Sequence, residues 1–167
     1  MIRDLIDREK LRRAALYLVY ILAAVFLQDT FFGSLRLFGM NMMFLPAAAV
    51  AIGAFAGGVW GAAFGVVLGF LADISYGYTA LFIALFPVMG FFAGVLTRWY
   101  VNASLFAYLV MCFAAFAVTA LFQMARPAYE SGEIIVLVRD GLIQCVWSLP
   151  MAAALYFPCR GIAKPKI

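Results

Sequence analysis

The chain has 167 residues, of which 68% are hydrophobic, 12% are charged and none is histidine, with a formal net charge of +4. So few polar residues cannot cover a water-soluble domain of that size, so the composition excludes a soluble fold and predicts an integral membrane protein. The positive charge does not point to nucleic acid, because the basic residues flank apolar stretches, where membrane topology accounts for them.

Residues 1–13, MIRDLIDREKLRR, read as a basic juxtamembrane helix, with Ile2, Leu5 and Ile6 at helical spacing. The apolar run after it is of span length and lacks a small-residue cleavage site, so it is expected to stay as a first span, about 14–32, with Gln28 and Asp29 near its far end. Met40 to Ala72 is apolar apart from Asn41. As one helix it would be about 50 Å long against a hydrocarbon core of about 30 Å, so it must fold back. Gly57-Gly58 is the natural turn, which predicts spans at about 41–56 and 59–74. A fourth span is expected at about 79–97 with Pro87 inside it, and a fifth at about 104–124. Arg126 to Asp140 reads as the longest polar connection, although the last span, about 134–157, is expected to begin within it. A basic tail, 159–167, closes the chain.

Six spans place both termini on one side. Of the twelve basic residues, only Arg36, Arg126 and Arg139 fall on the opposite loops, so both termini are expected to be cytoplasmic in a multi-pass inner-membrane protein.

The stretch GGVWGAAFGVVLGFLADISYG repeats a small residue every fourth position at Gly57, Gly61, Gly65 and Gly69, and Gly90 with Gly94 repeats the spacing in the fourth span. In a membrane, where lipid competes for every apolar side chain, such a strip serves helix packing by letting backbones approach closely. The third helix is therefore expected at the centre of the bundle. Asp73 closes its strip at the C-terminal end, where the macrodipole disfavours an anion by about 0.3–1 kcal/mol. Three readings stay open: an ion pair with Arg36, Arg126 or Arg139 on the outer side, simple hydration, or a docking contact for another protein.

Catalytic chemistry is not expected. Without histidine there is no zinc site or nucleophile–base pair in view, and the glycine-rich helix lacks the context of a phosphate-binding loop. Cys112, Cys145 and Cys159 show no paired or metal-ligand spacing, so no metal or cofactor is expected. Thr119, Gln123, Gln144 and Ser148 are uncharged polar residues within spans, suited to lining a small cavity or to hydrogen bonds between helices.

The order LQDTFFGSLRLFGMNMMFL, the Gly57-Gly58 turn, then GAAFGVVLGFLADISYGYTALFIALFPVMGFFAGVL resembles the MreD family of rod shape-determining proteins over Leu27 to Leu96. The shared passages are the Leu-Gln ending the first span and Gly-Phe-Leu-x-Asp-x-x-x-Gly; Met40-Asn41 stands where many relatives have proline followed by Asp or Asn. The resemblance implies an all-α, polytopic inner-membrane bundle of six transmembrane helices, similar to the substrate-binding component of energy-coupling-factor transporters. It implies a non-enzymatic scaffold of the bacterial elongation machinery that binds MreC and supports lateral peptidoglycan synthesis and rod shape. MreB, RodA and a class B penicillin-binding protein are implied as indirect partners, with membrane lipids around it. The alternative is a vitamin-binding component of such a transporter, against which stand the few polar groups in the spans and the absence of an Ala-x-x-x-Ala pair between Ala14 and Leu27.

Overall fold

The computed structural model describes residues 2–32, 36–37, 40–41, 43–77, 80–99, 104–131 and 134–163. Helix α1 runs Ile2–Leu27 and continues into a π-helical turn, Gln28–Phe32. Two-residue strands β1 (Arg36–Leu37) and β2 (Met40–Asn41) pair antiparallel, Arg36 opposite Asn41 and Leu37 opposite Met40. There follow α2 (Leu45–Ala56), α3 (Gly58–Tyr76), α4 (Leu81–Trp99), α5 (Leu105–Ser131) and α6 (Ile134–Ala163). Five of these helices are long and apolar enough to cross a membrane, and α2 is a shorter apolar helix. The chain is thus a multi-pass membrane protein built as a helical bundle.

The centre of the bundle is α2, not α3. Every residue from Leu45 to Gly53 is buried, and α2 packs against α1, α3, α4, α5 and α6. Its sequence, LPAAAVAIGAFA, explains the position: alanine and glycine leave room for neighbours on all sides. Helix α3 is peripheral, since Val59, Val66, Val67, Phe70 and Ile74 are exposed. The glycine repeat marks the face of α3 that meets α4, and a face of this kind defines a seam without placing the helix at the centre.

The remaining helices each bury one stripe. On α1 it is Tyr17, Tyr20, Ile21 and Ala24, continued by Gln28 in the π-helical turn, and on α5 it is Tyr108, Cys112, Ala115, Phe116 and Thr119. These intervals of three and four residues put the stripe on one side of a helix. The opposite sides carry Val19, Leu22 and Phe26 on α1 and Val110, Phe113 and Leu121 on α5. Both faces are apolar, as a lipid solvent allows, and the inward one differs in carrying small and hydrogen-bonding residues.

Two glycines make the turns. Gly57 has φ +99° and links α2 to α3, while Gly77 caps the C-terminus of α3 in the left-handed region at φ +68°. Arg126 does not begin a polar connection: α5 continues through it to Ser131 and α6 starts at Ile134. The sixth helix extends to Ala163, well past the expected end near 157.

Candidate functional site

Along their shared length α3 and α4 form a hairpin sealed by backbone contact. A Cβ built on Gly65 would lie 2.8 Å from the Phe86 carbonyl and from Pro87 Cα, and one on Gly69 would lie 2.7 Å from Ile83 Cα. Gly61 meets two helices at once, with its virtual Cβ 2.5 Å from Gly90 O and 2.6 Å from Gly53 Cα. Gly94 packs in the same way on the backbone of Gly57 and Gly58. So α2, α3 and α4 converge at Gly53, Gly61 and Gly90, where only hydrogen fits. Gly57 enters the seam only through its backbone, against Gly94, since a Cβ on Gly57 itself would meet nothing within 4 Å. Gly53, outside the strip expected from the sequence, continues the four-residue spacing one step upstream of Gly57.

Asp73 is 9% exposed, and its partner is the next helix. The backbone N–H groups of Phe82 and Ile83 donate to its Oδ1 and Oδ2, each at 3.0 Å. It thus occupies the N-terminus of α4, where free N–H groups and the positive end of the helix dipole favour an anion. The guanidinium of Arg139 bonds Asp140 at 3.2 Å rather than Asp73. The side chains of Arg36 and Arg126 lie outside the described residues, so an outer ion pair involving them does too. Beside Asp73, the Ser75 hydroxyl donates to Asp29 at 3.1 Å and ties the end of α3 to the end of α1.

The buried polar residues gather at the start of α2. At 12 residues this helix is about 18 Å long, short of a hydrocarbon core of about 30 Å, so its first N–H groups need partners inside the protein. Gln28, 1% exposed, accepts the Phe44 N–H through Oε1 at 3.0 Å. The Ser148 hydroxyl accepts the Met43 N–H at 3.4 Å and donates to the Gln144 carbonyl at 2.8 Å. Gln123 Nε2 donates to Met43 Sδ at 3.1 Å, and Thr119 donates to the Ala115 carbonyl at 2.8 Å. Met43, Thr119, Gln123, Gln144 and Ser148 share a space of about 10 Å³, scarcely a water molecule. The polar side chains serve as partners for the backbone and for methionine sulfur.

A larger space lies elsewhere. Helices α4 and α5 are consecutive and scarcely touch. Between them runs a groove of about 720 Å³ whose floor is Val50 of α2 and whose walls include Leu81, Met89 and Leu96 on α4 and Met111, Ala114 and Phe122 on α5. All its lining residues are apolar. Nothing in the spacing of apolar residues along α4 or α5 announces it, because the groove arises from where the two helices fail to meet.

Among the described residues no group of three or more cysteine or carboxylate side chains could hold a metal ion. Cys112, Cys145 and Cys159 are free and buried. The site this geometry defines is a packing surface of apolar helices that includes an open, apolar groove. Comparison with protein-family models, with curated proteins and with solved structures gives no match.

Proposed function

We propose that this chain is a non-enzymatic membrane scaffold of the MreD kind, which binds MreC within the membrane and supports lateral peptidoglycan synthesis and rod cell shape. MreB, RodA and a class B penicillin-binding protein are then reached indirectly. The observation that supports this reading is the α4–α5 groove. Leu81 and Leu96 both line it, so it follows α4 for about 22 Å, longer than the roughly 15 Å of one leaflet's hydrocarbon. A lipid tail from either leaflet covers part of that length, whereas a single transmembrane helix covers all of it. Its alanine and methionine walls suit such a visitor, since small residues allow close approach and methionine adapts to the shape it meets.

In this reading α2, extended by the chain before it, makes the second of six crossings. The start of α1, the Gly57 turn, the end of α4 and the end of α6 lie at the cytoplasmic end of an inner-membrane bundle similar in fold to the substrate-binding component of energy-coupling-factor transporters. The vitamin-binding alternative is disfavoured by the cavity of about 10 Å³ around Gln123, Gln144 and Ser148, too small for a vitamin.

The test is purification of the tagged protein from its native membrane in a mild detergent, with identification of everything that co-purifies. Recovery of a single-span periplasmic protein together with cell-wall synthases is the expected result. Recovery of paired ATPases and a coupling subunit overturns it.

A further inference from the structure

We infer that a notch at the Gly57 end of the α3–α4 hairpin binds the headgroup of an anionic phospholipid. The notch has a volume of about 450 Å³ and is lined by residues that include Gly58, Val59, Phe91, Val95, Arg98 and Trp99. Its chemistry is divided. Val59, Phe91 and Val95 form an apolar part, and Arg98 brings a cation to the same space. Among the described residues no side chain makes an ion pair or hydrogen bond with the Arg98 guanidinium. The contrast with its counterparts is direct: Arg139 pairs with Asp140, and Arg160 lies over the Tyr156 ring with its carbon 5.7 Å from the centroid.

The charge of the notch selects an anion, and its apolar rim selects a lipid over a free one. Val59 is 77% exposed and Trp99 74% exposed, so the cation sits among large apolar side chains open to the surroundings of the bundle. Tryptophan at a helix end favours the membrane interface, the depth of the phosphate groups. A phospholipid matches both halves at once, with phosphate against Arg98 and the upper part of an acyl chain along Val59, Phe91 and Val95. The shape of the notch is held by glycine: a Cβ on Gly58 would come within 3.0 Å of the Phe91 carbonyl, and one on Gly94 would press on the turn itself. The assignment does not depend on which protein partner the chain has.

The experiment uses the full chain, purified in a neutral detergent and exposed to equal amounts of phosphatidylglycerol and phosphatidylcholine, with retained lipid counted by native mass spectrometry. The wild type is expected to retain phosphatidylglycerol about fivefold over phosphatidylcholine, the factor that one cation near an anionic surface supplies. Arg98→Gln should abolish the preference, and Arg98→Lys should keep most of it. Arg139→Gln should leave it intact. Arg98 is exposed in the last turn of α4, so a matching thermal midpoint for Arg98→Gln will show that the fold is kept. The assignment is overturned if Arg98→Gln retains the wild-type preference, if the wild type has none, or if millimolar inorganic phosphate displaces the lipid.

Discussion

Asp73, in the last turns of α3, binds the Phe82 N–H at the start of α4 through a contact of 3.0 Å, so a single carboxylate ends one helix and begins the next. Gly69, one turn earlier, lets the Phe82–Ile83 backbone come close enough for this bond, and Gly77, one turn later, supplies the left-handed residue that turns the chain back. The passage Gly-Phe-Leu-Ala-Asp-Ile-Ser-Tyr-Gly is therefore one device: approach, cap and turn. Its carboxylate is oriented by bonds to the backbone of α4, which accounts for an acidic residue at that place.

Removing that cap has a calculable cost. Asp73→Ala should destabilise the protein by about 1–2 kcal/mol, the usual loss for a capping side chain. Asp73→Asn keeps one acceptor oxygen and should lose less. Thermal unfolding in detergent, followed by size-exclusion chromatography after heating, checks the order: wild type, then Asn, then Ala.

Ala80 has φ +61°, a left-handed conformation that costs a residue with a Cβ about 1 kcal/mol. Ala80→Gly should therefore raise the thermal midpoint, a gain reduced by the extra freedom glycine brings to the unfolded chain. A fall in the midpoint would contradict the strained turn.

The seam between α3 and α4 leaves no room for a side chain. Gly65→Ala and Gly69→Ala each force the helices apart, since a Cβ at either position lies under 3.0 Å from backbone. Each should cost about 1–3 kcal/mol, and leucine at either position should abolish accumulation of folded protein. Val66→Leu, on the exposed face of the same helix, is the matched control and should be neutral. Yield of monodisperse protein separates these outcomes.

The same glycines show what the sequence could and could not reveal. Spacing of four at Gly61, Gly65 and Gly69 picks out a close-packing face because only hydrogen permits such approach, and the chain states that directly. It does not state which helix is central. In water, burial and polarity oppose one another along a helix, and the pattern reads out the inside. Here Val66 faces outward and Leu68 is fully buried, yet both are apolar, so hydropathy is silent on depth. The signal was size: LPAAAVAIGAFA is the segment whose small residues let it be surrounded. Asp73 drew attention as a charge at an unfavourable helix end, but its partner is backbone, which has no letter in a sequence. The groove between α4 and α5 was likewise out of reach, because it depends on the separation of two helices.

Gln28 illustrates a residue whose role appears only with the fold. It holds the Phe44 N–H at the start of the short α2, inside the bundle and away from water. Gln28→Ala leaves that donor without Gln28 as its acceptor and should cost about 1–3 kcal/mol. Ser148→Ala should cost less, because its bond to the Met43 N–H is long at 3.4 Å. The ranking of the two midpoints, with Gln28→Ala the lower, is the measurement.

The groove gives the prediction that bears most directly on the proposed scaffold role. Ala114 lines it and is exposed, so Ala114→Trp extends into empty space instead of into the core. The folded protein should therefore keep its thermal midpoint within about 0.5 kcal/mol of stability, as surface substitutions do. A visiting helix would meet the indole where it now meets a methyl group, and co-purification of the partner should fall about tenfold, the effect of roughly 1.4 kcal/mol of lost packing. Ala23→Trp, on the exposed side of α1 and outside the groove, should leave both the midpoint and that recovery unchanged. If Ala114→Trp binds the partner as the wild type does, the groove is not the docking surface, and the exposed face of α3 at Val66, Phe70 and Ile74 becomes the next surface to substitute.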